Sequence, residues 1–467
     1  MKTAIYNKIL GTAMASLLLI TSCVLTSCDD ELEIVPKGKT TLENVDDLDA
    51  LLNTEYSLGA FLDLSILCNE ALGQFTPVSA CLSQKNTVDY ANMTYDESIN
   101  RAELAATDAR IDATYKYINY MNVIISKAPD AKGDNVKRER IIAEAKILRA
   151  YFHWLMVNIY AKQYDEATAE TDGGVPYVTN TDVSKVKEKV SVAEVYRNIL
   201  EDCSDENISK LVDQIDDVER VDKAFGNAVR AKVLMQMKRY SEALPYAQAS
   251  IRYNGLIADR STIKTTKNWS LTQSMETNII YMGAGSRACP TYITLSIESS
   301  QLFEEGDYVV KYDRAGWKQS LTNKEIIGAL QFRKFGTMSN VFGITSDRMY
   351  YTAAECLIRT GKIKEGLEYV DKVRAYRVEN YEPFAKDGIT EQQAMALMQR
   401  AKWIECVATY ENFFDTKRWN TEANYRKTIT RNLCEYGTYS ISPDSPLWIL
   451  PFPLSATRYN STLTQNY

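Results

Sequence analysis

A single histidine, His153, stands in 467 residues. That scarcity excludes Ser-His-Asp triads, His-pair zinc sites and multi-His metal cages. Positive charge is also short: 54 Lys and Arg against 61 Asp and Glu leave a formal charge of −7. A nucleic-acid binder needs a basic excess or patch to neutralise phosphates, so that class is set aside. Nine cysteines include no C-x-x-C pair, which argues against a zinc site. Beyond the N-terminal leader no stretch approaches the ~20 apolar residues of a membrane helix. Phenylalanine is sparse, at 12, whereas tyrosine reaches 30, so amphipathic rings outnumber purely apolar ones. Hydrophobic residues at 45% and charged residues at 25% are ordinary for a globular chain, and a sizeable core is available.

The leader is specific. Lys2 and Lys8 precede an apolar run from Ile9 to Ile20, the pattern of a secretory signal peptide. Leu25-Thr26-Ser27-Cys28 follows and is similar to a bacterial lipobox, in which the cysteine is acylated and becomes the mature N-terminus; Cys23 is the alternative. The acidic Asp29-Asp30-Glu31 favours Cys28, because it is similar to the signal that sends some lipoproteins to the cell surface. Several acyl chains at ~0.8 kcal/mol per buried methylene anchor a protein firmly. Loss of residues 1–27 removes two lysines and no acid, so the charge moves from −7 to −9. With Cys23 lost and Cys28 acylated, seven cysteines remain, an odd number that opposes a full disulfide framework; most read as small buried hydrophobes, and a Cys68–Cys81 bridge stays open.

Helical periodicity dominates the body. Ile141, Ala145, Leu148, Phe152, Leu155 and Ile159 recur at spacings of four and three, predicting a buried stripe over 140–160 with His153 beside it as a packed, hydrogen-bonded side chain. Asp172-Gly173-Gly174-Val175-Pro176 interrupts this pattern, and Ser191-Val192-Ala193-Glu194 restarts it with capping-box spacing. Residues 223–254 read as a helical hairpin turning at Lys238-Arg239-Tyr240, with Pro245 in or near the first turn of its second helix. Residues 347–374 read as a second hairpin with Gly361 at its turn. Both are similar to tetratricopeptide units in the placing of Ala231, Leu234, Ala243, Ala247, Ala354, Leu357 and Gly366. Between them, about 256–345, the pattern changes to short β-type runs: Asn278–Tyr281, the alternation Ile293, Leu295, Ile297, and Tyr308–Tyr312. Another helix is expected from Glu391 to Thr409, and a coil wrapped on the surface from Pro443 to Tyr467. The resulting division is a leader at 1–27, a lipidated tether at 28–40, a helical part at 41–255, an insertion at 256–345 and C-terminal helices with the tail at 346–467.

This order of features resembles the SusD/RagB family of outer-membrane nutrient-binding lipoproteins. The resemblance rests on Cys28 to Gly38, Arg149-Ala150-Tyr151-Phe152 with Asn158-Ile159-Tyr160, and Tyr351 to Lys362 around Glu355 and Gly361. It extends through Glu405 to Trp419 and Trp448-Ile449-Leu450-Pro451-Phe452-Pro453 to the terminal Gln465-Asn466. Ala161-Lys162 and Val407-Ala408 depart from the family's usual residues and point to a divergent branch. The resemblance implies a mostly α fold, in which a tetratricopeptide-like scaffold carries an irregular, loop- and short-strand-rich binding region. It also implies an outer-membrane lipoprotein facing the cell exterior, which passes oligosaccharides, or in some branches peptides, to a TonB-dependent SusC-like transporter. A periplasmic adaptor built from the same hairpins is the alternative of another class.

Sugars present C–H faces to aromatic rings and hydroxyls to polar groups. In the insertion, Trp269, Tyr281, Arg287, Tyr292, Tyr312, Asp313, Arg314 and Trp317 supply such side chains, with Trp317 the leading candidate. Asn86, Asp89, Tyr90, Asn92, Tyr95 and Asp96 form a second group. The competing role for each ring is packing on the scaffold, and Trp154, Trp403, Trp419 and Trp448 are read as core. Glu355, Glu405, Glu411 and Asp415 could suggest the carboxylate pair of a glycosidase. Their setting on amphipathic helices among Arg359, Arg400, Lys402 and Arg418 points instead to structural ion pairs. No phosphate loop or nucleophile elbow is present, so no enzymatic activity, cofactor or metal is expected.

Overall fold

The computed structural model describes residues 42–265, 279–281, 292–312, 317–333, 340 and 342–467, apart from 55, 59, 60, 75 and 183. Among the described residues nine helices of ten residues or more make the scaffold: α1 (Ala109–Lys127), α2 (Asn135–Tyr160), α3 (Val192–Asp202), α4 (Lys223–Gln236), α5 (Tyr240–Tyr253), α6 (Ser346–Arg359), α7 (Ile363–Arg374), α8 (Glu391–Glu405) and α9 (Glu411–Asn420). Shorter helical turns fill several connections. The fold class is mostly α, as the resemblance implied. Among the described residues no helix is long and apolar enough to cross a membrane.

Local chemistry sets the helix starts. Asp134 caps α2 by accepting from Lys137 N–H, and Ser191 caps α3 by accepting from Glu194 N–H. Thr390 and Gln393 form a reciprocal capping box on α8. The periodic stripe of α2 understates its burial, because every residue from Ile147 to Tyr160 is buried. A helix enclosed on all sides is the centre of the molecule, and each fully buried Ile, Leu or Phe there contributes ~1.5–3 kcal/mol.

The hairpins α4–α5 and α6–α7 fall where the periodicity predicts them, and Pro245 lies in the second turn of α5, next to its first. They are separated by the insertion in sequence but not in space. Helix α5 packs on α6, and Leu234, Met235, Tyr240, Ala243 and Cys356 form one cluster across that junction. Thus the helical stack is continuous, and the insertion leaves it and returns.

The strands are short: β1 (Ala71–Gly73), β2 (Ile279–Tyr281), β3 (Tyr292–Leu295), β4 (Lys318–Gln319), β5 (Leu330–Arg333), β6 (Ile344–Thr345), β7 (Ile429–Asn432) and β8 (Thr438–Ile441). One antiparallel sheet has the order β1-β3-β5-β4, so a strand from the N-terminal part completes the sheet of the insertion. Strands β2 and β6, and β7 and β8, make two antiparallel ribbons.

Three expectations are corrected. Tyr308–Tyr312 is a helical turn, not a strand, because Asp307 Oδ1 accepts from Val309 N–H at 2.8 Å and starts a helix despite the β-branched pair that follows. Ile297 begins another helical turn, capped by Ser296, so the alternation ends at Leu295. The helix expected to reach Thr409 stops at Glu405, and α9 begins at Glu411. The tail is largely coil, yet it is threaded inward: Leu447, Trp448, Ile449, Leu450 and Phe452 are all buried. All six described cysteines are free, Cys68 and Cys81 included.

Candidate ligand-binding site

Trp317 precedes β4, the edge strand of the sheet. Its ring packs 4.4 Å from Phe303 and stands nearly perpendicular to Phe332 at 6.1 Å. It remains half-buried, braced on two sides and partly open, with Lys318 exposed beside it. This is the geometry of a rigid platform.

Tyr312 is half-buried on the helical turn Tyr308–Tyr312. Its hydroxyl donates to Glu379 Oε2 at 2.7 Å, and the Lys264 and Lys311 ammonium groups lie 5.4 and 5.6 Å from its ring. Hydrogen bonds from Lys264, Lys311 and Tyr312 lower the Glu379 pKa to about 2. An open groove of about 680 Å³ adjoins this cluster, lined by Lys311, Glu379 and Tyr381 among others.

Of the N-terminal candidates, Asp89, Tyr90 and Asn92 lie on the short helix Val88–Thr94, Asn86 sits in the connection from the preceding helix Val78–Leu82, and Tyr95 and Asp96 follow the second helix. Asn86 and Asp89 are exposed and Tyr90 is half-buried, the last held by Thr87 capping its N–H. These helices are tied to the insertion: Val78 N–H donates to Asn323 Oδ1 at 2.6 Å, and Leu72, Val78 and Met93 pack with Ile326 and Ala329. Two groups of candidates remote in sequence are thereby joined to one sheet.

Three candidates are lost to the core. Tyr281 is fully buried, its ring 4.5 Å from Phe225 and 6.3 Å from Tyr151. Tyr95 is buried in a left-handed conformation under the Arg431 guanidinium, 4.3 Å from its ring centre. Asn92 is likewise buried, while Asp96 is half-buried and accepts from Ser98. Tyr292 pairs with Arg333 in the sheet, but its side chain lies outside the described residues, as do Trp269, Arg287, Asp313, Arg314 and both leader cysteines, Cys23 and Cys28.

The four carboxylates are structural. Glu355 receives both Arg418 nitrogens at 2.7 and 2.9 Å and the Trp419 indole N–H at 2.9 Å. Glu405 pairs with Arg260 and Arg377, Glu411 with Arg348 and Lys232, and Asp415 with Lys402 at 2.6 Å. The partners differ in part from those expected, since Arg359 reaches Glu391 and Glu422, and Arg400 reaches the Leu302 carbonyl. Although burial opposes ionisation, the surrounding cations hold Glu405 and Glu411 at about 2. A general acid needs a raised pKa, so these groups are unsuited to that role.

Trp154, Trp419 and Trp448 are buried as expected, but Trp403 is not: it is half-buried on the wall of a groove of about 410 Å³ between α8, α9 and β7. Ala396, Gln399 and Arg400, one and two turns before it, share that face of α8 and also line the groove. A tryptophan on the polar face of an amphipathic helix was the available signal.

Two family models match the chain, one described as starch-binding associating with outer membrane over residues 60–232 and one as SusD family over residues 348–467. Solved structures are similar over almost the whole chain. A SusD superfamily protein from Bacteroides thetaiotaomicron VPI-5482 is 16% identical with a TM-score of 0.68, covering 91% of this chain and 100% of the other. A putative sugar binding protein from Bacteroides vulgatus ATCC 8482 is 14% identical with a TM-score of 0.70, covering 92% and 99%. Surface glycan-binding protein A from Bacteroides uniformis is 14% identical with a TM-score of 0.66, covering 90% and 99%. No curated protein sequence matches.

Proposed function

We propose that this chain, which belongs to the SusD/RagB family, is a surface lipoprotein that captures oligosaccharides and delivers them to a TonB-dependent SusC-like outer-membrane transporter. Cys28 carries the lipid after residues 1–27 are removed, and 28–40 form the tether; Cys23, after loss of 1–22, is the alternative. The helical parts, 41–255 and 346–467, hold the insertion at 256–345, whose sheet edge bears the binding platform. The protein binds its cargo without turning it over.

The observation that carries this reading is the half-open Trp317 ring, held by Phe303 and Phe332 at a sheet edge. A ring fixed before the ligand arrives loses little freedom on binding, and it offers an apolar face to sugar C–H groups. Exposed Lys318 supplies a donor for hydroxyls close by. The names of two similar structures, a putative sugar binding protein and a surface glycan-binding protein, support the same ligand class.

Gel retardation of the mature protein by a panel of polysaccharides is the test. At least one glycan should slow the wild type, and Trp317→Ala should weaken that binding by roughly tenfold, the worth of one good aromatic contact. Unchanged mobility across the panel would defeat the glycan reading and leave peptides as cargo. Isolation in mild detergent should bring down a large β-barrel; its absence would argue for the adaptor role.

A further inference from the structure

The groove between α8, α9 and β7 includes neither Trp317 nor Tyr312 in its lining, and shares no lining residue with the groove beside Glu379. Its volume, about 410 Å³, is that of a small-molecule site, for which ~300–1,000 Å³ is usual. The aromatic side chains around it are held by hydrogen bonds to the protein. Trp403 donates its indole N–H to Ser299 Oγ at 3.1 Å, Trp419 donates to Glu355, and the Tyr425 hydroxyl donates to Glu391 Oε1 at 2.7 Å. With each polar handle used inside the protein, what these side chains offer the groove is apolar surface.

The polar lining is unbalanced in an informative way. Asn420, on the last turn of α9, is only 5% exposed, and its Nδ2 has no hydrogen-bond partner. A buried amide donor without an acceptor is costly and rare, and calls for an explanation such as an absent ligand. Two cations line the groove, Arg400 and Lys427. Among the described residues Arg400 is engaged by the Leu302 and Phe303 carbonyls and by no carboxylate, and Lys427 has no carboxylate partner. Lys427 is exposed at the surface, yet the protein flanking its ammonium strips hydration and lowers its pKa from the ordinary lysine value. Against them stands one lining carboxylate, Glu298, whose two oxygens already accept from Asn69 Nδ2 at 3.0 Å and Asn432 N–H at 3.1 Å. The groove therefore carries a net positive charge within a chain of charge −7.

Aromatic walls, an unfilled amide donor and uncompensated cations select a ligand with an apolar face, hydroxyls and a carboxylate. We propose that this groove is a second saccharide site, specific for uronic-acid sugars, with the sugar carboxylate against Lys427 and Arg400, a ring oxygen or hydroxyl accepting from Asn420 Nδ2, and the C–H face against Trp403. Charge complementarity, not area, supplies the selectivity over neutral sugars, because hydrogen bonds to an ionised acceptor are the stronger ones.

Digalacturonate is the probe, with the neutral digalactoside as its counterpart, followed by calorimetry and tryptophan fluorescence on the mature protein. Digalacturonate should bind saturably, more weakly as salt rises, and at least tenfold more tightly than the neutral sugar. Lys427→Met, a change at an exposed loop residue, should reduce that affinity by roughly tenfold, and Asn420→Ala should reduce it further if the variant keeps its helical spectrum. Trp317→Ala should leave it unchanged, which separates this site from the platform on the sheet edge. Absence of uronide binding, equal binding of the neutral sugar, insensitivity to Lys427→Met, or equal affinity for an acidic dipeptide would each overturn the assignment.

Discussion

His153 shows how one side chain can govern the acid stability of the molecule. Its Nε2 accepts from Val178 N–H at 3.0 Å, its Nδ1 donates to Arg149 O at 2.8 Å, and its ring stacks on Tyr177 at 3.9 Å. Burial, the largest cause, lowers its pKa from 6.5 to about 3. A folded pKa below the unfolded one means that the stability is present above pH 6.5 and is lost as pH falls towards 3, at ~1.4 kcal/mol per unit. Asp222 and Asp307, raised by burial to about 6, act in the opposite direction and relieve a penalty as pH falls. The comparison must therefore be differential. Between pH 6.5 and 5 the wild type should lose ~2 kcal/mol more than His153→Gln in urea unfolding, and parallel pH slopes would refute the assignment. Because no other histidine exists, the difference belongs to this ring.

At the level of elements, the hairpin α6–α7 depends on two glycines for different reasons. Gly361 has φ +85° at the turn, and a side chain there would meet nothing within 4 Å, so only backbone conformation resists it. A Cβ at Gly366 would lie 2.8 Å from Ala354 O and 2.7 Å from Ile358 Cγ1, where the two helices cross. Gly361→Ala should cost ~1–2 kcal/mol from the left-handed backbone. Gly366→Ala should cost more, up to ~3 kcal/mol, because packed helices must separate. Denaturant midpoints of the two variants check the order, and equal values would contradict the close approach. The turn at Tyr308–Tyr312 illustrates the reverse influence. Its composition favours a strand, but Asp307 caps its N-terminus and Tyr308 N–H bonds to Arg377 O, and together these hold the chain in a helix.

The whole molecule is closed by its tail. Arg101, 3% exposed, donates to Pro446 O and Ile449 O at 3.0 Å each and to Leu447 O at 3.5 Å. Phe452 stacks on Tyr160, and Asn466 Nδ2 donates to Tyr160 O at 2.7 Å and Gly174 O at 2.9 Å. Arg101→Ala removes the donor to the Leu447 and Ile449 carbonyls, while Pro446 O keeps Ile449 N–H, and should cost ~2–4 kcal/mol, with faster amide exchange over 447–452; unaltered exchange there would show that the tail does not depend on this clamp. Much of the scaffold was legible in the chain itself: the bounds of α4–α5 and α6–α7, the role of Gly361, the packed histidine and the ion-paired carboxylates. The site was legible only as a set of residue types. Trp317, Tyr281 and Trp403 look alike in sequence, yet the first is a braced platform, the second is core and the third lines a groove. Amphipathic periodicity is written within a few residues because a helix is a local structure, and so the sequence by itself determined the hairpins. Whether a ring is open depends on what distant chain is laid over it, as when Asn323 holds Val78 or Asn69 Nδ2 donates to Thr430 O. Only the tertiary structure decided that.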